Sequence, residues 1–283
     1  MLKVFGFVRR NARLSHDEYR AGHVGYHNSF GRRLNGIRGY VLNVRANRPL
    51  PDALGAETVA RITRGEPEGF DDQWDGWGQL LFDSLDDYLA ARSPAEDRAG
   101  PDGLSMDPAV AGVGGDFDHL YSGSPFQFHV DEHVGVPVRR PERKLFKLAH
   151  FARRRAGLAP ELFAGYWAGR YVSHLATLPG LWGAVVNVRT SLDVMSGFFA
   201  ADAEGFTPAG VERREQFYAS WDAVGEYWFD DPAVFAAARR SGDLADTLDR
   251  CEEELFDRSF FREVDETVAV MPNRAPAPDF YFR

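Results

Sequence analysis

Two tandem β-α-β-β-α-β units of an α+β fold are what this 283-residue sequence predicts. Three observations carry that reading. Leu2 to Arg45 laid over Phe146 to Arg189 at a constant offset of 144, without a gap, gives 15 identical pairs in 44; chance would give about three. The repeat resumes downstream, where WDGWGQLLFDS (74–84) matches WDAVGEYWFDD (221–231) and HVDEHV (129–134) matches EVDETV (263–268). Within each copy the hydrophobic period switches between strand and helix in the same order.

The elements follow in sequence. LKVFGFVRR is rich in β-branched and aromatic residues and predicts a strand. Ser15, with Asp17 and Glu18 behind it, predicts a helix start, and Gly36 after Leu34 predicts its stop. A second strand ends near Arg45, WDGWGQLLF alternates as a third, SLDDYLAAR reads as a capped helix, and FQFHVDEHVGV as a fourth strand. The predicted fold is therefore two tandem ferredoxin-like units forming an intrachain α+β barrel, a pseudo-dimer, with domains at 1–138 and 145–283. The proline-bearing stretch PVRRPERK (137–144) contains the linker, set at 139–144. Residues 46–72 and 190–220 are too long for hairpin turns and are expected to be lids or interface arms.

Composition narrows the function. Hydrophobic residues at 44% and aromatics at 13% provide ample core. A net charge of −9 with scattered basic residues argues against nucleic acid or an anionic membrane as partner. A small organic molecule is expected instead, with a homodimer of such chains left open. Cys251 is the single cysteine, which suits a reducing cytoplasm. No signal peptide or 18-residue apolar run is evident. Dinucleotide fingerprint, P-loop and GxSxG elbow are all missing, which disfavours nicotinamide, nucleotide triphosphate and serine-hydrolase chemistry.

A strand with paired aromatics, the helix motif E-Y/F-x-x-x-x-x-x-x-H, then L-x-G-I/L-x-G-Y, a W/Y-D-G-x-x-E/Q-L-x-F-D-S strand and a final V-x-E-H-V strand resemble the EthD family of dimeric α+β barrel proteins. The resemblance covers most of 2–136 and 145–271 outside the insertions. It implies two units packed sheet against sheet, a chamber between each sheet and its helices, and cofactor-free chemistry on polyketide or aromatic compounds. The characteristic helix histidine falls on His27; the matching position of the second copy is Tyr171, a departure from the pattern.

Spacing adds its own expectation. Tyr19, His23, His27, Phe30 and Leu34 fall on one helical stripe facing the sheet, and Phe163, Trp167, Tyr171, His174 and Leu178 on the matching one. His23 and His27 admit three readings: metal ligands, although H-V-G-Y-H lacks the glutamate of HExxH; packed histidines satisfied by backbone; or an acid–base pair, with His27 catalytic and His23 beside it. Tyr19, Phe30, Trp77, Gln79, Tyr171 and His174 are the expected substrate-binding residues. No metal and no cofactor are expected. His129, Asp131 and His133 share a strand face, read as an interface or solvated edge. The reading that results is a cofactor-independent lyase, cyclase or isomerase acting on a small aromatic, polyketide-derived or carbonyl-rich compound. The alternatives are a cofactor-free oxygenase of a phenol or anthrone, and a haem or small-molecule binding protein. The first copy is expected to carry the activity.

Overall fold

The structure is a computed structural model that describes residues 1–32, 34–91 and 117–272, with the side chains of Phe30, Phe117 and Asp118 outside the description. Eight strands form it: β1 (Leu2–Val8), β2 (Gly39–Arg45), β3 (Gly76–Phe82), β4 (Phe126–Val136), β5 (Phe146–Arg154), β6 (Leu181–Arg189), β7 (Ala223–Phe229) and β8 (Phe256–Val270). Every pairing is antiparallel, and the order β1-β3-β2-β8-β5-β7-β6-β4 returns on itself.

This corrects the expected architecture. The strands do not make two tandem ferredoxin-like units, each with its own open sheet, stacked as a pseudo-dimer. They make one closed barrel with the helices outside it. The cause lies in β4 and β8, of 11 and 15 residues. Each pairs along one part with the first strand of its own half, β4 with β1 and β8 with β5. Each then runs on to pair with the other half, β4 with β6 and β8 with β2. Both sheets thus satisfy their exposed N–H and C=O edges on each other, and closure removes edges altogether.

The inward faces of both halves share one aromatic core. Phe7 lies 5.1 Å from Trp77, 6.0 Å from Phe151 and 5.8 Å from Trp221. The insertions close one end of it. Phe70, from the first, stacks on Phe217, from the second, with ring centres 5.7 Å apart, and both are buried among the barrel aromatics. Each insertion also packs across the seam. Leu50, Leu54 and Ile62 join the outer core of the second half, whereas Val194 and Phe198 join that of the first.

Toward the other end the barrel interior is polar. Lys3 donates to Glu132 and to Asn187 Oδ1 at 2.8 Å; Lys147 donates to Asn43 Oδ1 at 2.6 Å and meets Glu266 at 2.7 Å. These positions correspond in the repeat: Lys3 with Lys147, Asn43 with Asn187, Glu132 with Glu266. Symmetry breaks where Gln79 faces Glu226 and donates to it at 2.5 Å. Burial pushes the Glu226 carboxyl up, but Lys147 and Lys3 more than offset this and hold it below the ordinary range. Two of only three lysines in the chain sit here, which ties this scarce residue to the buried network.

Outside the barrel, the first helix runs as α1 (His16–Ala21), a π-helical stretch (Gly22–His27) and α2 (Asn28–Gly31), ending before Leu34. The Ser15–Glu18 capping box starts it: each side chain accepts from the other's backbone N–H. The second half repeats the pattern with α7 (Pro160–Gly165), a π-helical stretch (Tyr166–Tyr171) and α8 (Val172–Leu175). The first-half insertion carries α3 (Leu50–Leu54) and α4 (Ala56–Ile62); α5 (Leu85–Ala90) and α6 (Phe117–Leu120) follow β3. The second-half insertion carries α9 (Pro208–Tyr218), and α10 (Pro232–Arg240) with α11 (Asp243–Leu255) precede β8. Among the described residues, no helix is long and apolar enough to cross a membrane.

Candidate active site

The first helix presents its rings as a column. Tyr19 stacks on His23 at 5.3 Å and His23 on His27 at 5.6 Å, with interplanar angles of 15° and 9°. A π-helix has a wider turn than an α-helix, and π-helical stretches often mark functional sites. Tyr121, just after α6, stands edge-on to all three rings and places its hydroxyl 2.7 Å from His23 Nδ1.

His23 is 2% exposed, and its Nε2 has no hydrogen-bond partner among the described residues. Burial, then the neighbouring His27, pushes its pKa well below the ordinary value, so the ring is neutral at pH 7. Both histidines line a chamber of about 50 Å³ between this helix and the outer face of the first-half strands. Its floor includes Gly6, Gly78 and Leu80, with Tyr40 and Gln127 beside them, and Phe198 reaches in from the second-half insertion. The lining is mainly apolar. Tyr88 donates its hydroxyl to Gln127 Oε1 and stacks on Phe198 at 4.3 Å, which fixes two sides of the space.

The second half has filled the corresponding volume. His150 stands where the repeat places Gly6, Tyr227 where it places Leu80, and Phe261 where it places Gln127. His150 stacks on Phe261 at 3.9 Å and sets Nδ1 3.2 Å from the Tyr227 hydroxyl and Nε2 2.7 Å from Ser259 Oγ. Trp167, the counterpart of His23, donates to the same Tyr227 hydroxyl at 2.7 Å. Tyr171, the counterpart of His27, is fully buried and donates to Glu252 at 2.8 Å.

The sequence-derived candidates are therefore distributed over three places. Tyr19, His23 and His27 come together along the chamber helix. Phe30 lies on α2, but its side chain is outside the described residues. Trp77 and Gln79 point to the barrel interior, on the opposite sheet face. Trp77 stacks on Phe7, and Gln79 serves the ionic network. Tyr171 belongs to the filled second half, and His174 is partly buried at the end of the same helix. Sequence reasoning missed Gly6, Gly78, Tyr121, Gln127 and Phe198. The repeat held a signal for Gly6, whose alignment with His150 is a change from no side chain to a large one. Tyr121 has its counterpart in Phe256, which pairs with Arg154 as Tyr121 does with Arg10 and stands edge-on to Phe163, Trp167 and Tyr171; LYSGS (120–124) against LFDRS (255–259) was the signal for it.

A larger cleft of about 510 Å³ opens at the seam between the halves. Its arginines are engaged by carboxylates that line the same cleft: Arg10 and Arg45 by Asp75, Arg48 by Glu263, Arg262 by Glu66 and Asp71. Asp75 also accepts from the Arg10 backbone N–H at 2.9 Å, so it pins the approach to β3. No group of three or more metal-ligating side chains occurs among the described residues.

No family model matches the chain. No curated protein matches it either. Among solved structures, a protein described as anthrone oxidase-like aligns over 98% of this chain and 96% of its own, with a TM-score of 0.50 and 9% identity. A proposed monooxygenase from Fusobacterium nucleatum covers 94% and 92% with a TM-score of 0.46 and 7% identity; another from Lactobacillus acidophilus covers 96% and 96% with 0.46 and 9%. The likeness to the first shows that the closed barrel with outer helices is a known fold.

Proposed function

We propose that the chain is a cofactor-independent acid–base enzyme whose chamber, lined by His23 and His27 with Tyr121 hydrogen-bonded to His23, moves a proton on a small aromatic, polyketide-derived or carbonyl-rich compound, as a lyase, cyclase or isomerase does. One observation carries this: a buried, neutral imidazole whose free nitrogen is unpartnered and lines an apolar chamber. A buried polar atom without a partner costs stability and calls for a reason. An imidazole held ready for a reacting group supplies one. Tyr121 would fix the tautomer of His23, while His27, less buried, exchanges the proton with solvent. Substrate-binding roles fall to Tyr19 and to the chamber walls. The order of motifs in both halves supports EthD kinship, with residues 1–138 and 145–283 as two copies of one ancestral unit. The single, buried Cys251 suits work in the cytoplasm.

A second reading has its own support. A chamber of about 50 Å³ accepts dioxygen or a single functional group but no ring, and the structure similar in fold is described as anthrone oxidase-like. In that reading the same histidines deprotonate a phenol or anthrone, and the resulting anion reacts with dioxygen. Turnover of anthrone and of enolisable aromatic ketones, measured with and without oxygen, separates the two. In either case His27→Gln is expected to lower turnover by about 10² to 10⁴-fold with the melting temperature kept. A folded His27→Gln with wild-type turnover on the accepted substrate would return the residue to packing. A Soret band on titration with haemin would favour a binding protein instead.

A further inference from the structure

Gly6 and Gly78 face each other across β1 and β3 on the chamber floor. The backbone does not require glycine at either place, since neither has a positive φ. Packing does not require it either. A Cβ on Gly6 would stand 3.4 Å from Gln127 Cγ, and one on Gly78 would stand 3.4 Å from Tyr40 Cε2, both ordinary contacts. Gly31 differs, because a Cβ there would meet the Tyr40 ring at 2.4 Å. Glycine within a strand costs about 0.5–1 kcal/mol relative to alanine, so two avoidable glycines on one floor need a cause outside the fold. The space they leave is one. A separate observation marks it as a ligand space: the unpartnered Nε2 of His23, on a side chain 2% exposed, lines the same chamber. The amide nitrogen of Gln127 adds a hydrogen-bond donor 3.5 Å from where the Gly6 Cβ would be. In the filled second half, His150 occupies the position of Gly6.

We propose that Gly6 and Gly78 set the size selectivity of this site. They hold open room for one oxygen-bearing group at the edge of an aromatic ring, a phenolic hydroxyl, between His23 and Gln127, and exclude the ring itself. The proposal rests on the acid–base reading given above and names the group that reading acts on. The volume fits: about 50 Å³ is far below the roughly 300–1,000 Å³ of a pocket that engulfs a drug-sized ligand. Two added methyl groups, each nearly the roughly 30 Å³ share of a water molecule, would fill most of it.

The test uses phenol as the probe, read by the ring resonances of His23 and His27, together with xenon as a probe of the space alone. Wild type is expected to show phenol-dependent shifts at both histidines and xenon beside Gly6. In Gly6→Ala/Gly78→Ala phenol affinity should fall at least tenfold and xenon should be excluded, with the melting temperature unchanged or higher. Gly25→Ala, on the exposed side of the helix with nothing within 4 Å of its Cβ position, should bind phenol like wild type. Equal phenol binding by the double variant, absence of phenol shifts in wild type, or loss of binding only together with a lowered melting temperature would each overturn the proposal. Failure of the acid–base reading would look different: phenol binding would still depend on the glycines, but turnover would not depend on His23 or His27.

Discussion

Replacing Lys147 with methionine tests what the polar end of the barrel does. The Lys147 side chain is fully buried; its ammonium meets Glu226 at 2.5 Å and Glu266 at 2.7 Å, accepts cover from the Trp228 ring at 4.5 Å, and donates to Asn43. Methionine keeps most of the volume but leaves Glu226, 1% exposed at its side chain, and Glu266, 11% exposed, without their shared cation. Breaking one side of a buried ion pair costs about 3–5 kcal/mol. For a chain of this length that is a fall of roughly 6–10 °C in melting temperature. Lys3→Met should cost less, because its main partner Glu132 is 29% exposed and can turn to water. The acid limb supplies a second measure. Although burial raises the Glu266 pKa, Lys147 and Arg140 bring it down to about 2 from the ordinary 4.5. The folded carboxyl is thus depressed, so its stabilisation is present above about pH 4.5 and is lost as pH falls toward 2. It is worth on the order of 3 kcal/mol at neutral pH. Urea unfolding at pH 7 and pH 3.5 should show the gap between wild type and Lys147→Met narrowing in acid. A variant within 1 kcal/mol of wild type at pH 7, or a gap independent of pH, would refute the view that this lysine balances the buried carboxylates.

Other expectations follow from the same geometry. His23 and His150 are both held neutral by burial, well below the ordinary 6.5; their contribution is complete above pH 6.5 and is lost as pH falls below it, by up to about 1.4 kcal/mol per pH unit each. His150→Phe should therefore halve the histidine part of the slope between pH 6.5 and 5, whatever it costs at pH 7, as read by chemical unfolding across that range. Phe70→Ala removes a ring buried against Phe217, Phe151 and Phe260 and should destabilise by about 3–5 kcal/mol, measured by the shift in urea midpoint. Tyr121→Phe removes the hydroxyl at His23 Nδ1 and should cost about 1–2 kcal/mol of stability; it should also lower kcat more than it raises KM, a split that a purely packing tyrosine would not produce.

What the sequence by itself determined was local and periodic. The offset of 144 aligned Lys3 with Lys147 and Asn43 with Asn187, and strand, capped helix and strand fell where the patterns put them, because alternation and capping act over a few residues. The stripe that joined Tyr19, His23 and His27 was legible for the same reason, although the π-helical turn that stacks their rings was not. Tertiary structure decided the rest. Closure of the barrel depends on β4 meeting β6 and on β8 meeting β2, pairings between residues far apart in the chain that no local pattern encodes. Trp77 and Gln79 looked like chamber residues in the sequence, but alternation fixes only that they share a face; the closed barrel made that face the interior. Whether a chamber exists was settled by what fills the space: glycine at position 6, a histidine at 150, and Phe198 brought to the first half from the second-half insertion.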